Sequence, residues 1–108
     1  MRKVTQEDIL NFLKSQKDEL FSNGVIKLGL FGSYARGENS TFSDIDIVIE
    51  SNADFIAKKF KNPLIFFSIL DDFKAKILAH FGTTADICDV SSMSEDEKAK
   101  FLAKVIYA

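Results

Sequence analysis

Residues 44–50, Asp-Ile-Asp-Ile-Val-Ile-Glu, constrain the fold more than any other stretch, because two carboxylates one residue apart open an apolar run. Side chains two apart on a strand point to the same face. A strand here sets Asp44 and Asp46 side by side and sends Ile45, Ile47 and Ile49 the other way, into a core. Two like charges held that close repel each other unless positive charge stands between them, and a divalent cation is the usual solution.

The rest of the chain has to supply that core. With 108 residues, 46% of them hydrophobic, it has the apolar content for one core and reads as a single domain over 1–108. Lys and Arg number 14 against 16 Asp and Glu, a net charge of −2, so no global basic field favours direct nucleic-acid binding. The lone Cys88 rules out an internal disulfide and fits a reducing compartment. The charged start Met-Arg-Lys-Val-Thr-Gln-Glu-Asp is unlike a signal peptide, and no apolar run approaches membrane-spanning length. The expected location is the cytoplasm, with no membrane partner.

Along the chain, Thr5 and Asp8 have the spacing of a capping box, and Ile9, Leu10, Phe12, Leu13 and Leu20 follow at helical intervals until Asn23-Gly24. Val25 to Phe31 reads as a strand with Ile26, Leu28 and Leu30 on one face; Gly29 inside it signals a close backbone or ligand. A Gly32-Ser33 turn and a polar connector lead to the strand Asp44 to Glu50. Residues 51–62 read as a short helix or an irregular link, with helix favoured. Asn62-Pro63 starts a helix whose stripe is Phe66, Leu70, Phe73, Ile77 and Phe81, stopped by Gly82. Thr83 to Val90 is the third strand, and Ser94 with Glu97 caps a last helix running through Phe101, Leu102, Val105 and Ile106. Short strands alternating with amphipathic helices give an α/β (α+β) class, a small sheet with helices packed on it.

The third strand completes a candidate site. Asp86 shares a face with Thr84 and Cys88, so pairing beside residues 44–50 brings a third carboxylate to Asp44 and Asp46; Asp89 is a fallback on the opposite face. Mg²⁺ prefers carboxylate oxygens and shares its coordination with substrate phosphates. A Gly-Ser turn offers bare backbone N–H groups and a hydroxyl to the phosphates, and Arg36 can add a charge-assisted contact.

Gly32-Ser33, ten residues and then Asp44-x-Asp46 resembles the signature of the DNA polymerase β-like nucleotidyltransferase superfamily, and Gly-Ser-x-Ala-Arg-Gly…Ser-Asp-Ile-Asp is similar to its minimal nucleotidyltransferase (MNT) branch. The Asp86-Ile-Cys strand and the closing Val-Ile-Tyr-Ala extend the likeness. The resemblance implies a mixed sheet of three to four strands flanked by helices, the palm fold of that superfamily. It also implies ATP or another nucleoside triphosphate held through Mg²⁺, in two ions, and transfer of the nucleotidyl group to a hydroxyl. Asp44 and Asp46 would be metal ligands, Asp86 a third ligand or the proton acceptor, and Gly32 and Ser33, with Arg36 and Ser43, the nucleotide-binding residues.

Members of this branch are often encoded beside a helical HEPN toxin, so the resemblance implies an antitoxin that adenylylates a partner tyrosine. The residues leave two other readings open: a non-catalytic module that neutralises its partner by contact, and a nucleotidyltransferase acting on a small molecule such as an antibiotic. The chain ends before any appended acceptor-binding domain, which disfavours the last.

Each residue also has a plainer role. Arg36 is as readily a solvated loop arginine, and Ser43 a cap on the turn before the strand. His80 reads as a surface or helix-end residue and Cys88 as a half-buried strand residue. Lys58, Lys59 and Lys61 read as a solvated face. The phenylalanines are mainly core, with any exposed ones marking a binding surface.

Overall fold

The computed structural model describes residues 4–40 and 43–108; Thr41 and Phe42, inside the motif, lie outside the described residues. The elements run α1 (Gln6–Ser22), β1 (Val25–Phe31), α2 (Gly32–Arg36), β2 (Ile45–Ser51), α3 (Ala53–Lys59), α4 (Leu64–Phe81), β3 (Ala85–Asp89), α5 (Glu95–Leu102) and β4 (Ile106–Tyr107). The four strands form one sheet in the order β3-β2-β1-β4. β1 pairs antiparallel with both β2 and β4, while β2 and β3 are parallel. A parallel pair cannot be joined by a tight turn, and α3 with α4 makes the crossover.

One face of the sheet carries the core. Ile45, Ile47 and Ile49 are each 0% exposed and pack with Leu28 and Leu30 of β1, Ile9, Leu13 and Leu20 of α1, and Phe66, Phe73 and Ile77 of α4. Each such isoleucine contributes on the order of 1.5–3 kcal/mol on burial. The alternation of residues 44–50 therefore does what its period predicts, and it fixes the register, because a one-residue slip would turn three isoleucines out and two aspartates in.

Helix ends follow their local chemistry. The Thr5–Asp8 capping box is made in both directions. Asn62 Oδ1 accepts the Leu64 N–H at 3.0 Å, so Asn62 and Pro63 act as cap and first position although the regular helix starts at Leu64. Residues 53–59 are helical, with Asn52 accepting from the Phe55 N–H. Lys59, expected on a solvated face, donates to the Ser22 carbonyl at 2.7 Å and to Asn23 Oδ1 at 3.0 Å, satisfying carbonyl groups at the end of α1. His80 stacks on Phe12 with ring centroids 4.8 Å apart.

Two expectations need correction. β1 does not alternate regularly: its register shifts between Val25 and Lys27, which buries Val25 and leaves Ile26 exposed. A bulge of this kind breaks the period-2 pattern. The last helix does not reach the chain's end; it stops at Leu102, and Ile106–Tyr107 forms a fourth strand against β1. Two residues are too few to show a period. Gly29 carried the signal, since a Cβ there would collide with Val105 and lie 2.9 Å from the Ile106 carbonyl oxygen.

Candidate active site

The second face of the sheet bears the charged residues. α5 covers its middle: Phe101 meets Phe31 edge-on with centroids 4.9 Å apart, Lys98 reaches Glu50 at 3.7 Å, and Val48 is buried beneath. Lys27 holds Glu50 from the β1 side at 3.5 Å. The end of the sheet nearest α2 carries Asp44, Asp46 and Asp86.

Asp46 and Asp86 are direct partners in the parallel β2–β3 register, and Asp44 stands two residues before Asp46. Asp44 Oδ1 accepts a short hydrogen bond from Thr84 Oγ1. Asp46 is pushed above its ordinary value of 3.8, chiefly by desolvation, then by the charges of Asp86 and Asp44, with Arg36 pulling the other way. Asp46 thus senses the charges of the other two carboxylates. Among the described residues, no group of three or more His, Cys, Asp or Glu side chains is drawn closely enough together to hold a metal as it stands. The donor set nonetheless suits a hard divalent cation, being oxygen only and self-repelling. Asp44 and Asp46 would hold it, with Asp86 within reach of the same face.

Gly32 locks the turn against this cluster. Its φ of +74° is left-handed backbone that suits glycine, and a Cβ there would collide with Asp46 Oδ2 and lie 3.0 Å from Asp46 Cγ. Glycine is required twice over, by conformation and by space. α2 carries no side-chain cap at its start. Its far end is tied down by Gln6, whose Nε2 donates to the Tyr34 and Ala35 carbonyls at 3.2 and 2.9 Å.

The remaining predicted residues divide. Arg36 borders the site but its guanidinium donates to Glu38 at 2.9 Å, an exposed pair of small energetic weight. Ser43 Oγ accepts the Ser40 N–H at 2.8 Å, the turn-capping arrangement. Asp89 lies at the other end of β3, where it accepts from the Ser51 and Ser91 backbone N–H groups at 3.2 and 3.0 Å, so it cannot be the third carboxylate. The Cys88 thiol is pushed up by burial and then by Asp89, the environment of an inert packing residue. Thr84, which orients Asp44, was visible in the sequence only as a residue sharing the Asp86 face. Thr83 also belongs to this layer, its hydroxyl donating to the Ser43 carbonyl at 3.2 Å.

Comparison with known proteins decides the family. The sequence model of the nucleotidyltransferase domain matches residues 7–105. The chain belongs to the nucleotidyltransferase domain family. This nucleotidyltransferase domain is 43% identical over 51 residues to protein adenylyltransferase MntA of Thermococcus cleftensis, a match covering 46% of the chain and 52% of the relative. The match spans about half the length of such curated relatives. A solved structure described as a "putative minimal nucleotidyltransferase" superposes with a TM-score of 0.70 at 19% identity, covering 98% of both chains. Another, a toxin–antitoxin complex with AMP-PNP, gives 0.54 at 20% identity, covering 96% of this nucleotidyltransferase domain and 72% of that chain. These two likenesses establish the fold, the mixed sheet flanked by helices that the motif implied.

Proposed function

We propose that the protein is an Mg²⁺-dependent nucleotidyltransferase that moves AMP, or another nucleoside monophosphate, from a triphosphate to a tyrosine hydroxyl of a helical toxin of the HEPN class, and so acts as its antitoxin. The observation that carries this reading is the juxtaposition of Asp46 with Asp86 in register, Asp44 beside them and the bare Gly32 turn packed on Asp46. Family membership supports the reaction class, and similarity to a protein adenylyltransferase and to the fold of a toxin–antitoxin complex supports the protein acceptor.

In the reaction, the acceptor oxygen bonds to the α-phosphorus, the bond from that phosphorus to the pyrophosphate oxygen breaks, and the hydroxyl proton must leave. Asp86, exposed at the site's edge, takes that proton. Asp44 and Asp46 would hold the cation, with the Thr84 hydroxyl fixing the orientation of Asp44. Gly32 and Ser33 present backbone N–H groups to the terminal phosphates. Bound Mg²⁺ supplies charge neutralisation for the phosphates, the main requirement of phosphoryl-type transfer.

The test is incubation with the protein encoded beside it, labelled ATP and Mg²⁺. Label should appear on a partner tyrosine and vanish in Asp44→Ala with Asp46→Ala. Absence of transfer by the wild type, or its survival in the double variant, would overturn the enzymatic reading. Suppression of the toxin by the aspartate variants would instead favour neutralisation by contact.

A further inference from the structure

We infer that the protein self-associates through the outer face of α4, two copies packing these helices antiparallel about a twofold axis. α4 is apolar on two sides. One side, with Phe66, Phe73 and Ile77, is buried in the core. On the other, Leu64, Phe67 and Leu78 are 65%, 59% and 47% exposed. A helix that is hydrophobic all round is ordinarily covered all round, and exposed apolar residues aligned on one face mark an interaction surface. Leu64, Phe67, Asp71, Lys74 and Leu78 are spaced alternately three and four residues apart, so they follow a single seam along the helix.

The charges on the seam identify the occupant as a second copy. Asp71 and Lys74 interrupt the apolar stripe, and among the described residues neither makes a salt bridge. A polar pair in an apolar seam fixes orientation and register. Parallel packing would set Asp71 against Asp71 and Lys74 against Lys74, and like charges across an interface repel. Antiparallel packing sets Asp71 against Lys74 of the second copy and Phe67 against its Leu78, each contact occurring twice. The pairs Phe67–Leu78 and Asp71–Lys74 and the helix ends Leu64 and Phe81 are all symmetric about the point between Asp72 and Phe73. A twofold axis there overlaps the two helices along their whole length and makes the contact self-complementary. An unrelated partner would have to supply this order of charges; a second copy already carries it. α4 packs on the core face of the sheet and the carboxylates lie on the other, so both candidate sites stay uncovered in the dimer.

A single helix pair lies at the small end of specific interfaces, so the dimer should build up across micromolar to millimolar concentrations in sedimentation equilibrium of the full chain. Asp71→Lys and Lys74→Asp each place like charges across the seam and should weaken dimerisation about tenfold or more. Asp71→Lys combined with Lys74→Asp restores opposite pairs and should return to near the wild-type affinity. An equimolar mixture of the two single variants should dimerise more tightly than either alone, since one then presents only lysines to the seam and the other only aspartates. Asp71 is exposed and Lys74 partly so, and recovery in the double variant and the mixture shows that the single variants lost pairing rather than fold. A wild type that stays monomeric over the whole range overturns the inference and leaves the stripe to a different protein. So does a dimer that the single variants leave intact, or a double variant or mixture that fails to recover.

Discussion

Gly32→Ala tests the packing of the site most directly, because the structure contains its own control. Gly32 and Gly37 bracket α2 with φ of +74° and +71°. An alanine at either pays about 1–2 kcal/mol for left-handed backbone, partly offset by about 0.4–1 kcal/mol from a stiffer unfolded chain. The surroundings differ. A Cβ at position 37 meets nothing within 4 Å, whereas at position 32 it lies 3.0 Å from Asp46 Cγ, 3.1 Å from Asp46 Cβ and closer still to Oδ2. Overpacking of that kind adds about 1–3 kcal/mol. Gly37→Ala should therefore cost about 1 kcal/mol and Gly32→Ala about 2–4 kcal/mol, measured by urea unfolding followed by circular dichroism. Asp46→Ala removes Cγ and both oxygens, so in that background the Gly32→Ala cost should fall toward the Gly37→Ala value. A double-mutant cycle reads this coupling. Equal costs at the two glycines, or a coupling near zero, would refute the claim that Gly32 is fixed by contact with Asp46.

Other perturbations probe separate parts of the structure. Asp46 has a raised pKa, so the folded metal-free protein keeps a proton that the unfolded chain releases; the stability this confers is fully present below 3.8 and is lost as pH rises through the higher folded value. Asp46→Asn should flatten that slope and stabilise the metal-free protein at neutral pH; a steeper slope in unfolding curves across acid pH would contradict this. Thr84→Val removes the hydroxyl that orients Asp44 and should weaken Mn²⁺ binding by roughly tenfold or more in calorimetry, with little change in fold. Ile47→Ala, at a site with no exposure, should cost about 2–5 kcal/mol in the same urea assay while leaving the carboxylate face intact.

The sequence by itself determined the half of the protein governed by local periods. The alternation at 44–50 decided which face holds the core, the Thr5–Asp8 and Asn62–Pro63 signals placed helix starts, and Gly29 announced a close neighbour without naming it. Asp44 and Asp46 could be singled out because their spacing along one strand puts them on one face, and Gly32 because a Gly-Ser turn at a strand end is legible locally, although its contact with Asp46 comes from the β1–β2 pairing. Tertiary structure alone decided what depends on pairing between distant segments. The parallel β2–β3 register set Asp86 against Asp46 and removed Asp89 to the far end, since strand direction and register are properties of two segments together. The bulge at Val25–Lys27 and the two-residue β4 arise from inter-strand hydrogen bonds that leave no period in the chain. The same holds for α5: its cap and apolar positions mark a helix in the sequence, but only its crossing of the sheet brings Phe101 and Lys100 beside Gly32 in one cleft.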